Sequence, residues 1–291
     1  MSSHLGFENE EGGIFQFAIN ADFNILKSLY SESELLDDSD RRRTTQSFIF
    51  RSAYSIKNDL TLEAFIPFVR QTRRIYGVSG VNDESTLGIG DPILLLNYEV
   101  VKSPVSLSFG SGIQFPLGSY TKRNSRGLFL VEDLQPGSGA FDLIFMSSIR
   151  FSTGFRPTLK GYFNTIFSSN GVNPTSRGGL QSYKFGNDIQ VILGAGDQIF
   201  LGNQIFTPGV ALRYRSAKRD EIDAFPSSGT GGRFLFLRLS NGWSVTPNST
   251  VTINLELPLY IRVNETQLAP TVNFNIGYYS RFNIKQNRNE G

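Results

Sequence analysis

Cysteine is absent from this 291-residue sequence, and histidine occurs only once, as His4. Without thiols there is no disulfide framework, a composition that fits passage through an oxidising compartment. A lone histidine upstream of the first patterned segment leaves no Ser–His or Asp–His pair and no His/Cys metal site for the rest of the chain. Enzymatic activity, cofactors and metals are therefore not expected. Asp22, Asp91 and Asp142 could serve only a mechanism built on carboxylates alone, and paired structural roles suit them better. Long apolar runs are also missing: the densest, PILLL at 92–96, falls far short of the roughly 18 residues of a membrane-spanning helix. The N-terminus, MSSHLGFENEEGG, has no basic-then-apolar leader, so an export signal, if there is one, is not in this sequence. Nor is there an excess of one charge. With 28 basic and 26 acidic residues the chain offers no bulk attraction to nucleic acid. TLGIGDP at 86–92 is glycine-rich but lacks the lysine of a phosphate loop.

Phenylalanine (25), glycine (29) and tyrosine (11) are abundant, and the apolar residues recur with a period of two. In 14–25, IFQFAINADFNI, Phe15, Phe17, Ile19, Ala21, Phe23 and Ile25 share one parity, and Gln16, Asn20, Asp22 and Asn24 the other. VSLSFGSGIQFPLG at 105–118 repeats the pattern. Comparable segments near 45–56, 60–74, 88–100, 137–151, 157–168, 184–195, 204–215, 233–245, 250–262 and 271–282 bring the total to about twelve strands and no helix.

The connections alternate in length. KND (57–59), KSP (102–104), STGFR (152–156), GDQIFLGN (196–203) and TPNS (246–249) are short. The segments 31–43, 76–86, 119–136, 168–183, 216–232 and 264–270 are longer and rich in charge, Gly, Ser and Asn. An even number of antiparallel strands, short turns at one end and long loops at the other describe an all-β, single antiparallel transmembrane β-barrel with periplasmic turns and extracellular loops. Hydrocarbon cannot satisfy a stray polar group, so the apolar parity faces lipid. A soluble sandwich would turn the same parity inward, and sequence leaves that alternative open. On the barrel reading, 1–12 is a periplasmic segment, 13–282 the barrel and 283–291 a tail, in a bacterial outer membrane.

The opposite parity then lines the lumen with Asp22, Arg51, Glu63, Asp91, Glu99, Asp142, Arg150, Lys160, Lys184, Asp188, Arg213, Arg238, Glu256, Arg262 and Arg281. Folding about the short turns sets Arg51 diagonal to Glu63, Arg238 opposite Glu256 and Asp188 beside Arg213. Such charges either line a polar passage or brace and fill the barrel. The hairpin folded about residue 58 also gathers Arg41, Arg42, Arg43, Arg73 and Arg74 at the long-loop rim. They form either an anion site for lipid phosphate or an acidic solute, or a solvated rim balanced by Asp37, Asp38 and Asp40. In GLFLVEDL (127–134), Phe129, Leu130 and Val131 are too apolar for a merely solvated loop. They are expected to pack across the mouth or on a partner, or to extend the strand above the membrane.

LGIGDPILLLNYEV (87–100), PVSLSFGSGIQFPLGSY (104–120), LQPGSGAFDLIFMSSIRF (134–151) and the late LPLYIRVNETQLAPTVNFNIGYYSRF (257–282) together resemble an outer-membrane transporter family named after the meta-cleavage pathway of phenol degradation. The matching positions are Gly88, Gly90, Asp91, Pro116, Gly118, Gly137, Gly139, Asp142, Gln267 and Leu268. The chain departs from the pattern in continuing past Phe282. The resemblance implies a barrel that passes small, often aromatic or hydrophobic compounds. Expected partners are outer-membrane lipids and lipopolysaccharide, a small-molecule solute and an envelope protein. The alternative is a plugged accessory barrel whose loops bind that envelope protein.

Overall fold

The computed structural model describes residues 10–38, 40–77, 80–202 and 204–283. His4, the rest of the segment before residue 10 and the tail after 283 lie outside the described residues.

Twelve strands make the wall: β1 Ile14–Ser31, β2 Arg41–Lys57, β3 Leu60–Gly77, β4 in two pieces (Gly80–Ile89 and Ile93–Val101), β5 Val105–Gln114, β6 Asp142–Ser152, β7 Leu159–Ser169, β8 Asp188–Asp197, β9 Gln204–Ala217, β10 Gly232–Thr246, β11 Ser249–Val263 and β12 Thr266–Asn283. Each pairs antiparallel with its chain neighbours. β12 returns to β1 from Ile14↔Asn283 to Ser31↔Thr266, so the sheet closes on itself as a membrane-spanning sheet must.

The outer face is apolar. Phe48, Ile66, Leu94, Phe109, Phe145, Leu193, Leu239 and Ile253, from eight different strands, are 43–56 % exposed, far more greasy surface than a water-soluble monomer shows. Tyr54, Tyr98, Trp243 and Tyr278 are exposed near the short-turn end and form the aromatic girdle that marks a membrane interface. The sandwich alternative therefore fails.

Two of the expected long loops are mostly strand. The β3–β4 ladder runs up to Gly77↔Gly80, and β12 begins at Thr266, so 76–86 and 264–270 extend the wall. Beyond the bilayer both faces of a strand meet water, so the alternation fades while the ladder continues.

The interior differs from the ionic lumen read from sequence. Ile49, Phe65, Leu95, Ile144, Met146 and Ile192 belong to one buried apolar cluster inside the barrel. Gly110 on β5 makes room for it, since a side chain there would meet Met146 Cγ at 2.5 Å. A second cluster, Phe234, Phe236, Ile261, Val263 and Ala269, packs inside β10–β12. The two parities differ less in polarity than the alternation implied, because inward residues at mid-height pack on one another.

Candidate functional site

Below the first apolar cluster lies a chamber of about 520 Å³ at the short-turn end. Glu99, Arg150, Lys160, Tyr162 and Asn164 line it, with Met146 and Arg238 also on its wall. Glu99 accepts a hydrogen bond from Ser106 Oγ, and Ser148 Oγ donates to Asn164 Oδ1 at 2.7 Å. Arg281 sits at the rim of the same end, 3.2 Å from Glu10.

At mid-height Glu256 holds two arginines. Arg213 Nε and Nη2 lie 2.9 and 2.7 Å from its two oxygens, and Arg238 Nε and Nη2 lie 2.8 and 2.6 Å from Oε1. All three side chains are buried. Arg238 and Glu256 are directly opposite in the β10–β11 register, the placement read from sequence. Arg213, by contrast, joins them from β9 and stacks 4.3 Å over the Phe236 ring. Asp188 takes Arg215 instead of Arg213, because the ladder sets Gln190 opposite Arg215 and Ile192 opposite Arg213. Arg51 lies 5.1 Å over the Phe65 ring, and in the register Glu63 is diagonal to it. Asp22 accepts from Asn275 Nδ2 at 2.9 Å.

Arg262 is a correction. Phe236 pairs with Pro258 but Leu235 pairs with Tyr260, so a bulge at Leu259 reverses parity, buries Ile261 and Val263, and turns Arg262 outward. Lys184 is another: it lies in a small outer cap, opposite Glu221. The five rim arginines do not form one cluster either. Side chains alternate along a strand, so Arg43 and Arg73 lie on the opposite face from Arg42 and Arg74. Arg43 binds Asp133 and donates to Gln71 Oε1 at 2.7 Å. Arg73 binds Glu84 at 2.6 Å, Arg74 binds Asp83 and Arg41 binds Asp38 at 3.5 Å.

Asp91 and Asp142 do not face an open passage. Asp91 fastens the long β5–β6 connection, 115–141, which folds over the opposite mouth, and Asp142 ties the start of β6 to the end of β5 and to the connection after β7. Asp91 Oδ1 accepts from Gly118 N at 2.8 Å, and Oδ2 from Ser138 N and Oγ at 2.6 and 2.7 Å. Asp142 accepts from Gly171 N and Gln114 Nε2, each at 2.8 Å. Gly118 and Gly137 cross where the two ends of the loop meet Asp91, so three of the positions carrying the family resemblance form a clasp. Leu130 and Leu134 are buried, with Gln71 donating to Gln135 O at 3.1 Å and Thr86 to Leu134 O at 2.6 Å. Glu132 is held by Arg177, Ser176 and Gln181 at 2.9 Å each. The apolar GLFLVEDL segment thus packs into the mouth, as one of its readings had it. Glu132 and Gln71 carried no signal in sequence, because Glu132 binds Gln181, 49 residues on, and Gln71 donates to Gln135 O, 64 residues on.

Among the described residues the wall parts at a seam between β11 and β12. The β11–β12 ladder stops at Glu256↔Asn273, although both strands continue. Above that point β11 stays with β10 up to Gly232↔Val263 and β12 stays with β1. Pro258 and Pro270, which have no N–H to give a ladder, stand on its two sides. A cavity of about 130 Å³ lies at the seam, lined by Pro258, Pro270, Val272, Phe236, Arg213 and Glu256 among others. Val263 N to Glu32 O and Glu32 N to Glu265 O, at 2.8 and 2.9 Å, close it at the top.

A family model and one solved channel agree with this architecture. The family described as "Putative MetA-pathway of phenol degradation" matches residues 39–276. The fold is similar to that of an outer membrane channel from Pseudomonas putida F1, with a TM-score of 0.73 at 16 % identity over 96 % of this chain and 100 % of that one. The β-domain of the Bordetella autotransporter BrkA gives a TM-score of 0.46 at 13 % identity, over 94 % of this chain and 100 % of that one. The CymD monoaromatic hydrocarbon channel gives 0.46 at 11 % identity, over 94 % and 89 %. No curated protein matches by sequence.

Proposed function

This chain belongs to the phenol-degradation family, and we propose that it is a passive outer-membrane conduit for small, weakly polar ring compounds of the phenolic class. The observation that carries this reading is the apolar cluster across the lumen, with Leu95, Ile144 and Met146 almost fully buried in it. A hydrated ion that enters such a constriction loses its water with nothing to replace it, whereas an aromatic ring loses little. The chamber beneath, with acidic, basic and amide groups, then receives a solute bearing one or two hydroxyls. The seam between β11 and β12 supports a side route at the level of the outer leaflet. Energy coupling plays no part in this reading.

The test is uptake of a labelled monohydroxylated aromatic by cells that carry the protein in their outer membrane and by cells that lack it, paired with conductance of the purified barrel in a planar bilayer. The expected result is faster uptake with little ionic current, and equal uptake overturns the proposal. The plugged accessory barrel is favoured by the same packed cluster and by the clasped loop, and it gives neither uptake nor current.

A further inference from the structure

The outward turn of Arg262 has a consequence at the lipid surface. Across β9, β10 and β11, Tyr214 pairs with Leu235 and Leu235 with Tyr260, and all three face outward. One pleat further from the periplasmic end the row is Ser216, Arg233 and Arg262. Arg233 and Arg262 are directly opposite one another and exposed. Like charges in that position repel. The lipid-facing positions of β9, β10 and β11 offer no carboxylate among the described residues, and Glu265 on the adjoining turn is taken by Arg219 at 2.9 Å.

Depth gives the pair its meaning. Ten residues separate Arg233 from the girdle residue Trp243 on the same strand. At about 3.3 Å per residue and a tilt near 40°, that is about 25 Å along the membrane normal, the height of the apolar band of an outer-membrane barrel. A tyrosine row with arginines just above it is the order of side chains at the boundary between acyl chains and charged headgroups. We propose that Arg233 and Arg262 form a phosphate-binding site for a phosphorylated glycolipid of the outer leaflet, the lipid A part of lipopolysaccharide. Two forked guanidiniums side by side match a phosphate monoester. The acyl chains then lie on Leu235, Leu237, Leu257 and Leu259 below. The site needs the outer-membrane placement but not the conduit, so absence of solute uptake leaves it standing.

The experiment is native mass spectrometry of the full-length barrel in detergent, titrated with lipid A, with enzymatically dephosphorylated lipid A and with inorganic phosphate. The wild-type protein is expected to retain one lipid A at least roughly tenfold more strongly than the dephosphorylated form, and inorganic phosphate is not expected to compete at millimolar concentration. R233Q/R262Q is expected to lose this preference, while R126Q on an exposed loop keeps it. Equal retention of the two lipids by wild-type protein overturns the proposal without reference to any variant. So does unchanged preference in the double variant, or displacement of lipid A by inorganic phosphate, which indicates a site for a free anion.

Discussion

Gly118 and Gly137 pass so closely that a side-chain carbon on Gly137 would lie 2.6 Å from the Gly118 carbonyl carbon, and one on Gly118 would lie 2.8 Å from Gly137 Cα. No other residue type fits either position. The crossing brings the two ends of 115–141 to a single carboxylate, Asp91.

Asp91→Ala removes the acceptor for three loop donors. The loop is expected to lose roughly 2 kcal/mol or more of seating energy, because buried donors are left unpaired. Proteolysis within 119–136 should then accelerate at least about tenfold, while the barrel keeps its heat-modifiable mobility on gels. An unchanged cleavage rate refutes the clasp.

Leu95→Ala with Met146→Ala hollows the apolar cluster on two neighbouring walls. Shrinking both side chains admits water to the constriction, and ionic conductance in a planar bilayer should rise several-fold over wild type. If conductance stays at the wild-type level, the constriction lies elsewhere.

Glu256→Gln leaves Arg213 and Arg238 buried without their shared carboxylate. The expected cost is about 3–5 kcal/mol, read as a lower unfolding temperature in detergent. Replacing all three with apolar residues of similar size should recover much of the loss, which separates charge imbalance from packing.

Pro258→Cys with Val272→Cys places thiols on the two sides of the seam in a chain that has none of its own. Oxidation should slow uptake of the ring compound and leave the ionic current untouched, and reduction should restore uptake. Unaltered uptake after confirmed cross-linking removes the side route.

Asp220 in the outer cap accepts from Tyr183 Oη at 2.5 Å and from Gly186 N at 2.8 Å. Burial, the largest influence, raises its pKa above the ordinary value of 3.8. A raised carboxyl pKa means the folded cap holds the proton more tightly than the open one, so the cap is most stable below the ordinary value and weakens as pH rises through the raised one. Exchange of the Gly186 amide, corrected for intrinsic rate, should slow as pH falls from about 7 toward about 4. Asp220→Asn should abolish that dependence.

The strands, the closed wall and its lipid face were legible because period-two patterning is local: Ile253, Leu255 and Leu257 declare their parity whatever lies next to them. Arg238 opposite Glu256 was legible too, since a short turn fixes the register of its hairpin. Asp91 and its glycines stood out as a motif, but not as a clasp. The apolar lumen, Arg213 in the Glu256 cluster, the half-buried Glu132 and the outward Arg262 were hidden. Each depends on contacts between distant strands, on a loop folding back, or on one bulged residue. A single extra residue reverses every side chain beyond it, and pattern alone does not locate that residue. Local chemistry thus chose a barrel and its outside, and long-range register chose what fills it and where its wall parts.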